Sequence, residues 1–285
     1  MQTLILLGIF FVAVLLSSGA ASLLDPFLPF SFMRIFNRCF LLFGLTGAYF
    51  FRTRFQKKPL ASLGLAKEEH TLSLIVKGVV FALLSLLVLT LLSRLCQTVV
   101  FEYHPPKLKK LFYYVSGAIL IAFFEELFFR GFLLQTLMED LPTRPSVILS
   151  SMIYSLAHFI RPLVLNEPNE LSLFYTESVG LFLFGILMSY AFLRTRSLYL
   201  PMGLHGGFVF FLKMDGIFVN RPMVTPEWLF GGERLVGGIV TWLIFAVAFP
   251  WVKRVGRRYL PMQNCEKILS SKSSVNTSPT ISPKA

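Results

Sequence analysis

Eight stretches of the chain, approximately 3–24, 32–51, 72–95, 111–137, 146–162, 171–193, 197–213 and 235–252, stay apolar for close to 20 residues, about what a helix needs to cross bilayer hydrocarbon. Where water is absent, a backbone must satisfy its own amides, so separate apolar runs joined by polar loops are expected to be helices. The expected fold class is therefore all-α, a polytopic transmembrane helical bundle of about eight spans. Arg34 and Arg38 sit near the start of the second stretch and the fifth is short, so these two could tilt, re-enter or lie partly in the interface. Composition agrees: 55% of residues are hydrophobic and 15% charged, with 31 phenylalanines and a mean hydropathy of +0.67. A water-soluble domain carries about 25% charged residues.

The net charge of +12 could suggest nucleic acid, but the lysines and arginines fall in short clusters between apolar runs. That pattern fits membrane topology, so no nucleic-acid partner is expected. Arg52, Arg54, Lys57, Lys58 and Lys67 follow the second span, Arg194 and Arg196 the sixth, and Lys253, Arg254, Arg257 and Arg258 the eighth. Because cytoplasmic loops collect Lys and Arg, even-numbered span ends and both termini are expected inside a multi-pass cell-membrane protein. Lys107, Lys109 and Lys110, before the fourth span, are the cluster that disagrees. The run to Leu24 ends in the small residues Ser17, Ser18, Gly19, Ala20 and Ala21, as a signal peptide would, but it has no basic start and is read as a retained span.

The chain divides into N-terminal helices with a basic loop (1–110), a core (111–252) and a basic tail expected to be disordered (253–285). Leu60 to His70 is expected to form an interfacial helix. Gly206-Gly207 and Gly231-Gly232 lack the strand-turn-helix setting of a phosphate loop. Cys39, Cys96 and Cys265 form no CxxC pair, so neither a disulfide framework nor a cysteine-based zinc site is expected.

Ionisable groups inside apolar spans are costly and mark candidate sites. Three segments qualify. In the fourth span, Phe123 to Gly131 reads FFEELFFRG. Glu126 and Arg130, four apart in the favourable Glu-to-Arg order, share a helix face and can pair. Glu125 then points about 100° away. A carboxylate with no local cation in an apolar setting can accept a proton, as a general base must. The plain alternative is a structural ion pair beside a Glu that reaches the interface. In the fifth span, His158 shares a face with Tyr154 and Ser151, and Arg161 is expected to mark the helix end. In the seventh, Pro201 to Phe208 reads PMGLHGGF, where Gly206 and Gly207 let another backbone approach His205. A lone histidine in such a span is more often a packing residue or an interhelical hydrogen-bond donor than a ligand.

Of the four histidines, His70 and His104 lie in loops, while His158 and His205 lie in spans separate from the paired carboxylates. Two imidazoles and a carboxylate pair from three helices can hold one divalent cation with an open position for water. They can equally activate water directly. A zincin HExxH is absent from the sequence.

At these segments the sequence resembles the CPBP family of intramembrane proteases, which includes type II CAAX prenyl endopeptidases and Abi-type bacterial proteins. The family's paired Glu followed four residues on by Arg appears as Glu125, Glu126 and Arg130. Its aromatic residue followed four on by His appears as Tyr154 and His158, with Tyr where Phe is usual. Its later His appears as His205, but Val209 stands where a polar residue, often Asn, is usual. The resemblance covers roughly Leu111 to Phe211 and makes 111–252 a CPBP-like protease core.

The resemblance implies a membrane endopeptidase acting on a membrane-associated peptide or protein within the lipid bilayer. Glu125 would be the principal water-activating base, with Glu126, His158 and His205 completing the catalytic set. Arg130 and Tyr154 would support it, and Val209 would occupy a position that usually donates a hydrogen bond. Any metal would be one divalent ion, zinc by ligand type, on Glu125, His158 and His205, and a metal-independent mechanism stays open. Two other functions are compatible with the residues: a non-catalytic membrane binding or bacteriocin-immunity protein, and a proton-coupled transporter. The transporter would need repeated halves with broken helices, which the sequence does not show.

Overall fold

A computed structural model of the chain describes residues 2–66, 69–96, 99–101, 108–159, 174–220, 227–231 and 235–275. The helices are α1 (Gln2–Leu24), α2 (Phe32–Phe50), α3 (Thr71–Leu95), α4 (Leu108–Glu126), α5 (Gln135–Asp140), α6 (Thr143–Ala157), α7 (Phe174–Thr195), α8 (Tyr199–Phe218), α9 (Glu227–Phe230) and α10 (Ile239–Val275). Wider π-helical turns continue α2 through Phe51–Phe55 and join α4 to α5 through Leu127–Leu134. A two-residue antiparallel ladder, Val100 with Asn220 and Phe101 with Val219, ties the ends of α3 and α8. The chain is a helical membrane bundle.

Among the described residues, four stretches are long and apolar enough to cross a membrane: Gln2–Phe27, Thr71–Leu95, Thr176–Thr195 and Ile239–Tyr259. The other four expected spans are also helical, but each is compromised as a lipid-facing helix. Arg34 and Arg38 lie in the first two turns of α2, the path from α4 to α5 contains Glu125, Glu126 and Arg130, and α8 contains His205, Lys213 and Asp215. With 15 residues, α6 reaches only about 22 Å, short of the ~30 Å hydrocarbon. The candidate residues thus sit on helices that depend on their neighbours for cover.

Backbone-to-backbone packing aligns α8. A Cβ added at Gly203 would collide with the carbonyl oxygen of Ile75 on α3, and one at Gly207 would lie 2.7 Å from Ala82 Cβ. On the other side of α8, Gly206 faces Ala122 of α4 at 3.5 Å. Helices in lipid associate through such close fits, because apolar surface gains little by moving from lipid to protein. His205, between these glycines, is thereby held at one depth and rotation. At Gly185 of α7, an added Cβ would lie 2.9 Å from Ser151 Cβ, so α6 is drawn equally close to α7.

Three basic clusters, from separate loops, meet at one end of the bundle. Leu198 donates its amide to the Gly64 carbonyl (2.9 Å), and Gly256 faces the Arg194 backbone. Buried Arg52 donates to Gln56 Oε1 (2.9 Å) and Ser62 Oγ (2.7 Å) and lies 3.6 Å from Glu139, which also pairs with Lys58 at 2.6 Å. The α1–α2 hairpin is moored at this same end, where Thr3 donates its amide to Asp140 Oδ2 (2.9 Å) and Gln56 Nε2 donates to Gln2 Oε1 (2.7 Å).

Two expectations differ from the structure. Leu60 to His70 is not one interfacial helix: a 3-10 turn spans Leu60–Leu63 and stops at Gly64, whose φ of +90° suits glycine, while Leu63 packs into the core. Residues 67 and 68 lie outside the described residues. The tail expected to be disordered from 253 continues as α10 to Val275, with 276–285 outside the described residues. Low apolar content there argued against burial, but it does not prevent Lys, Arg, Glu, Gln and Leu from extending an established helix.

Gly203→Ala is expected to destabilise the bundle by about 1–3 kcal/mol, as overpacking does. A lowered thermal midpoint in detergent would register this. Gly8→Ala is the control, since a Cβ there meets nothing within 4 Å, and it should leave the midpoint unchanged or slightly raised.

Candidate functional site

The three segments singled out in the sequence come together. Glu125 and Glu126 close α4, Tyr154 and His158 lie at the end of α6, and His205 lies in the second turn of α8. Successive residues on a helix diverge by about 100°, and here that separates two environments. Glu126 is fully buried, while the Glu125 side chain is 26% exposed.

Glu126 is committed to two donors. Its Oε1 accepts from Arg130 Nη1 at 2.9 Å and from His205 Nδ1 at 2.7 Å. Arg130 begins the second half of the bond network within the π-helical stretch. Four residues is just over one turn of α-helix and just under one of the wider winding, so the pair meets under either. Arg130 Nη2 also donates to the Gly185 carbonyl oxygen at 3.1 Å, and the guanidinium lies 4.7 Å above the Tyr154 ring. Every surface of this buried cation is used by a carboxylate, a backbone dipole or a π face, apart from Nε, which has no hydrogen-bond partner among the described residues.

Glu125 looks the other way, between the imidazoles. Its Oε2 lies 3.8 Å from His205 Nε2 and 4.0 Å from His158 Nε2, and is buried with no hydrogen-bond partner among the described residues. The outer ring nitrogens fix the tautomers. His158 Nδ1 lies 2.9 Å from the Tyr154 carbonyl oxygen, and a carbonyl only accepts, so Nδ1 carries the hydrogen. His205 Nδ1 donates likewise to the Arg130-paired Glu126. In a neutral ring with Nδ1 so engaged, Nε2 presents its lone pair to Glu125.

Three acceptors around one space invite a positively charged or proton-donating guest, and one carboxylate with two imidazoles suits a divalent ion in kind. Tetrahedral bonds of 2.0–2.1 Å would set such ligands about 3.3 Å apart, closer than the 3.8 and 4.0 Å seen here. Among the described residues no three His, Cys, Asp or Glu are grouped closely enough to hold a metal ion. Both spacings are longer than a direct hydrogen bond.

Val209 follows His205 by one turn and is half-buried, with only an aliphatic side chain to offer. Arg161 lies outside the described residues. Sequence reasoning missed two participants. Gly185 supplies the carbonyl for Arg130, and Phe184 packs edge-on to His205 with centroids 5.2 Å apart. A glycine in the middle of an otherwise large-residue span, LFLFGILM, was the available signal for close helix approach at that level.

Residues 107–211 match the family model described as type II CAAX prenyl endopeptidase Rce1-like. The match includes Glu125, Glu126, Arg130, Tyr154, His158, His205 and Val209, and it agrees with the CPBP resemblance carried by the motifs. Over this segment, a little over a third of the chain, the sequence is similar to the CAAX-protease-like intramembrane peptidases. A comparison of the chain with curated proteins gave no match.

Removing one partner of a buried pair strands the other, at about 3–5 kcal/mol. Arg130→Ala is expected to lower the yield of monodisperse protein and its thermal midpoint more than Arg130→Lys, which retains a charge for Glu126 but cannot also fork to Gly185. Equal behaviour of the two variants would count against a structural pair.

Proposed function

We propose that the chain is an intramembrane endopeptidase that hydrolyses a peptide bond of a membrane-associated protein or peptide by water activated at Glu125. The observation that carries this reading is the division between the two glutamates. Glu126 Oε1 is held by Arg130 and His205, whereas Glu125 Oε2 faces two imidazole nitrogens whose outer ring atoms are already engaged.

In the proposed reaction, a water between Glu125 and the imidazoles gives a proton to the Glu125 carboxylate as its oxygen bonds to the scissile carbonyl carbon. The carbonyl π electrons move to the oxygen, and a donor then stabilises that oxyanion. When the intermediate collapses, the C–N bond breaks and Glu125 returns the proton to the leaving amine. Glu126 acts as a positioning residue: it accepts the His205 Nδ1 hydrogen and so holds the ring with Nε2 towards the water. His158 is fixed by the Tyr154 carbonyl with its Nε2 towards the water.

A single divalent ion, zinc by ligand type, would be held by Glu125, His158 and His205 once both imidazoles closed on Glu125 by about half an ångström. When bound, it would supply Lewis acidity and lower the pKa of its water. The substrate class named by the matched family, a prenylated CAAX protein, is one candidate for this chain. The three basic clusters at one end of the bundle support a multi-pass cell-membrane protein with that end, and both termini, in the cytoplasm.

The purified protein incubated with a membrane-peptide library should cleave, and Glu125→Gln should lose about 100- to 10,000-fold, the range for a general base, while keeping its thermal midpoint. Absence of cleavage by the folded wild type would instead favour a non-catalytic binding protein, a reading for which the aliphatic Val209 is the specific observation. Metal dependence is read in parallel: if an ion is needed, a chelator removes activity and zinc restores it.

Val209 provides a further test. Val209→Asn adds a donor one turn beyond His205 and should raise cleavage about 10-fold if no other group donates to the oxyanion. Where another group already serves, the extra amide should be neutral or slightly harmful. Tyr154→Phe in both backgrounds identifies that group: a loss in wild type that Val209→Asn rescues would assign the role to the Tyr154 hydroxyl.

A further inference from the structure

Away from the candidate site, the exposed face of the α1–α2 hairpin carries an open groove of about 490 Å³ lined by Ile5, Gly8, Val12, Leu16, Phe43 and Gly47. It runs along α1 from Ile5 to Leu16, about 17 Å at 1.5 Å per residue. That is close to one leaflet, half of the ~30 Å hydrocarbon. An apolar groove of this length can take a single hydrocarbon chain along it.

Its shallow end meets the basic end of the bundle. Beyond Phe43 and Gly47, α2 continues through exposed Phe50 to Arg54 and Lys57. The neighbouring cations are committed, since Arg52 and Lys58 both lie against Glu139. Arg54 and Lys57 are exposed and form no ion pair among the described residues. A chain-sized groove one leaflet long, with two uncommitted cations at interfacial level, has the chemistry of an anionic phospholipid, its acyl chain in the groove and its phosphate at the cations.

We propose that the α1–α2 groove is a binding site for one acyl chain of an anionic phospholipid whose headgroup is held by Arg54 and Lys57. This assignment is independent of the peptidase reading, because none of the groove residues belongs to the Glu125 cluster.

The full-length protein would be reconstituted into vesicles of phosphatidylcholine doped with a phosphatidylglycerol, or alternatively a phosphatidylcholine, that carries a photoreactive group on its acyl chain. Mass spectrometry then locates the adducts. Phosphatidylglycerol is expected to label the peptides containing Ile5–Leu16 and Phe43–Gly47 in preference to phosphatidylcholine. Arg54→Gln and Lys57→Gln should each reduce that preference about fivefold, the effect of one interfacial cation. Gly8→Phe projects a ring into the groove where nothing opposes a Cβ, and it should remove the α1 adducts while the thermal midpoint is kept. Equal labelling by the two lipids, adducts that survive Gly8→Phe, or crosslinks joining α1 of two copies in place of lipid adducts would overturn the assignment.

Discussion

One carboxylate oxygen, Glu126 Oε1, accepts both Arg130 and His205, and the arrangement of the bundle core follows from satisfying it. In a medium without water neither charge could stay ionised alone, and the pair repays its desolvation only if further polar atoms are supplied. The Gly185 carbonyl and the face of Tyr154 supply them to Arg130. Four helical segments, α4 with its π-helical extension, α6, α7 and α8, are thereby tied to a single ion pair. Glu125, one residue earlier, inherits a fixed position without being consumed by the network.

That network can form only where backbones approach closely. His205 reaches Glu126 because Gly203 and Gly207 bring α8 against α3 while Gly206 brings it against α4. Gly185 performs two tasks at once: lacking a Cβ, it admits Ser151 and so α6, and its exposed carbonyl receives Arg130. Small residues in lipid usually serve helix affinity. Here they also set the distance between charged groups, so the packing and the electrostatics cannot be varied separately.

Much of this was legible in the sequence for physical reasons. Apolar length identified the helices, and the cost of burying charge picked out Glu125, Glu126, Arg130, His158 and His205, which the fold brings together. The four-residue spacing gave the Glu126–Arg130 pair because it survives a change from α to π winding. What the sequence concealed was long-range. The sharing of Glu126 between Arg130 and His205 joins residues 79 apart, and no local period encodes it. The π-helical stretch itself was hidden, as was the stop at Gly64, where turn chemistry outweighed an apolar pattern. The run past 253 read as disordered because polarity reports on burial, whereas a helix already begun by Trp242 to Val252 needs only adequate propensity to continue.

Depth adds a last constraint on chemistry. His205 lies six residues into α8, about 9 Å from Tyr199 along the axis, and α8 begins beside the Gly64 turn at the basic end. The cluster therefore lies about 9 Å in from that end, on its side of the midplane of a ~30 Å hydrocarbon layer. The partial exposure of Glu125 and His158, at 26% and 34% of their side chains, contrasts with the sealed Glu126, Arg130 and His205. Water that supports chemistry needs a wet path, while the ion pair that sets the geometry needs a dry one. Adjacent residues on one helix meet both requirements, since a step of about 100° is enough to turn one carboxylate towards the opening and the other into the core.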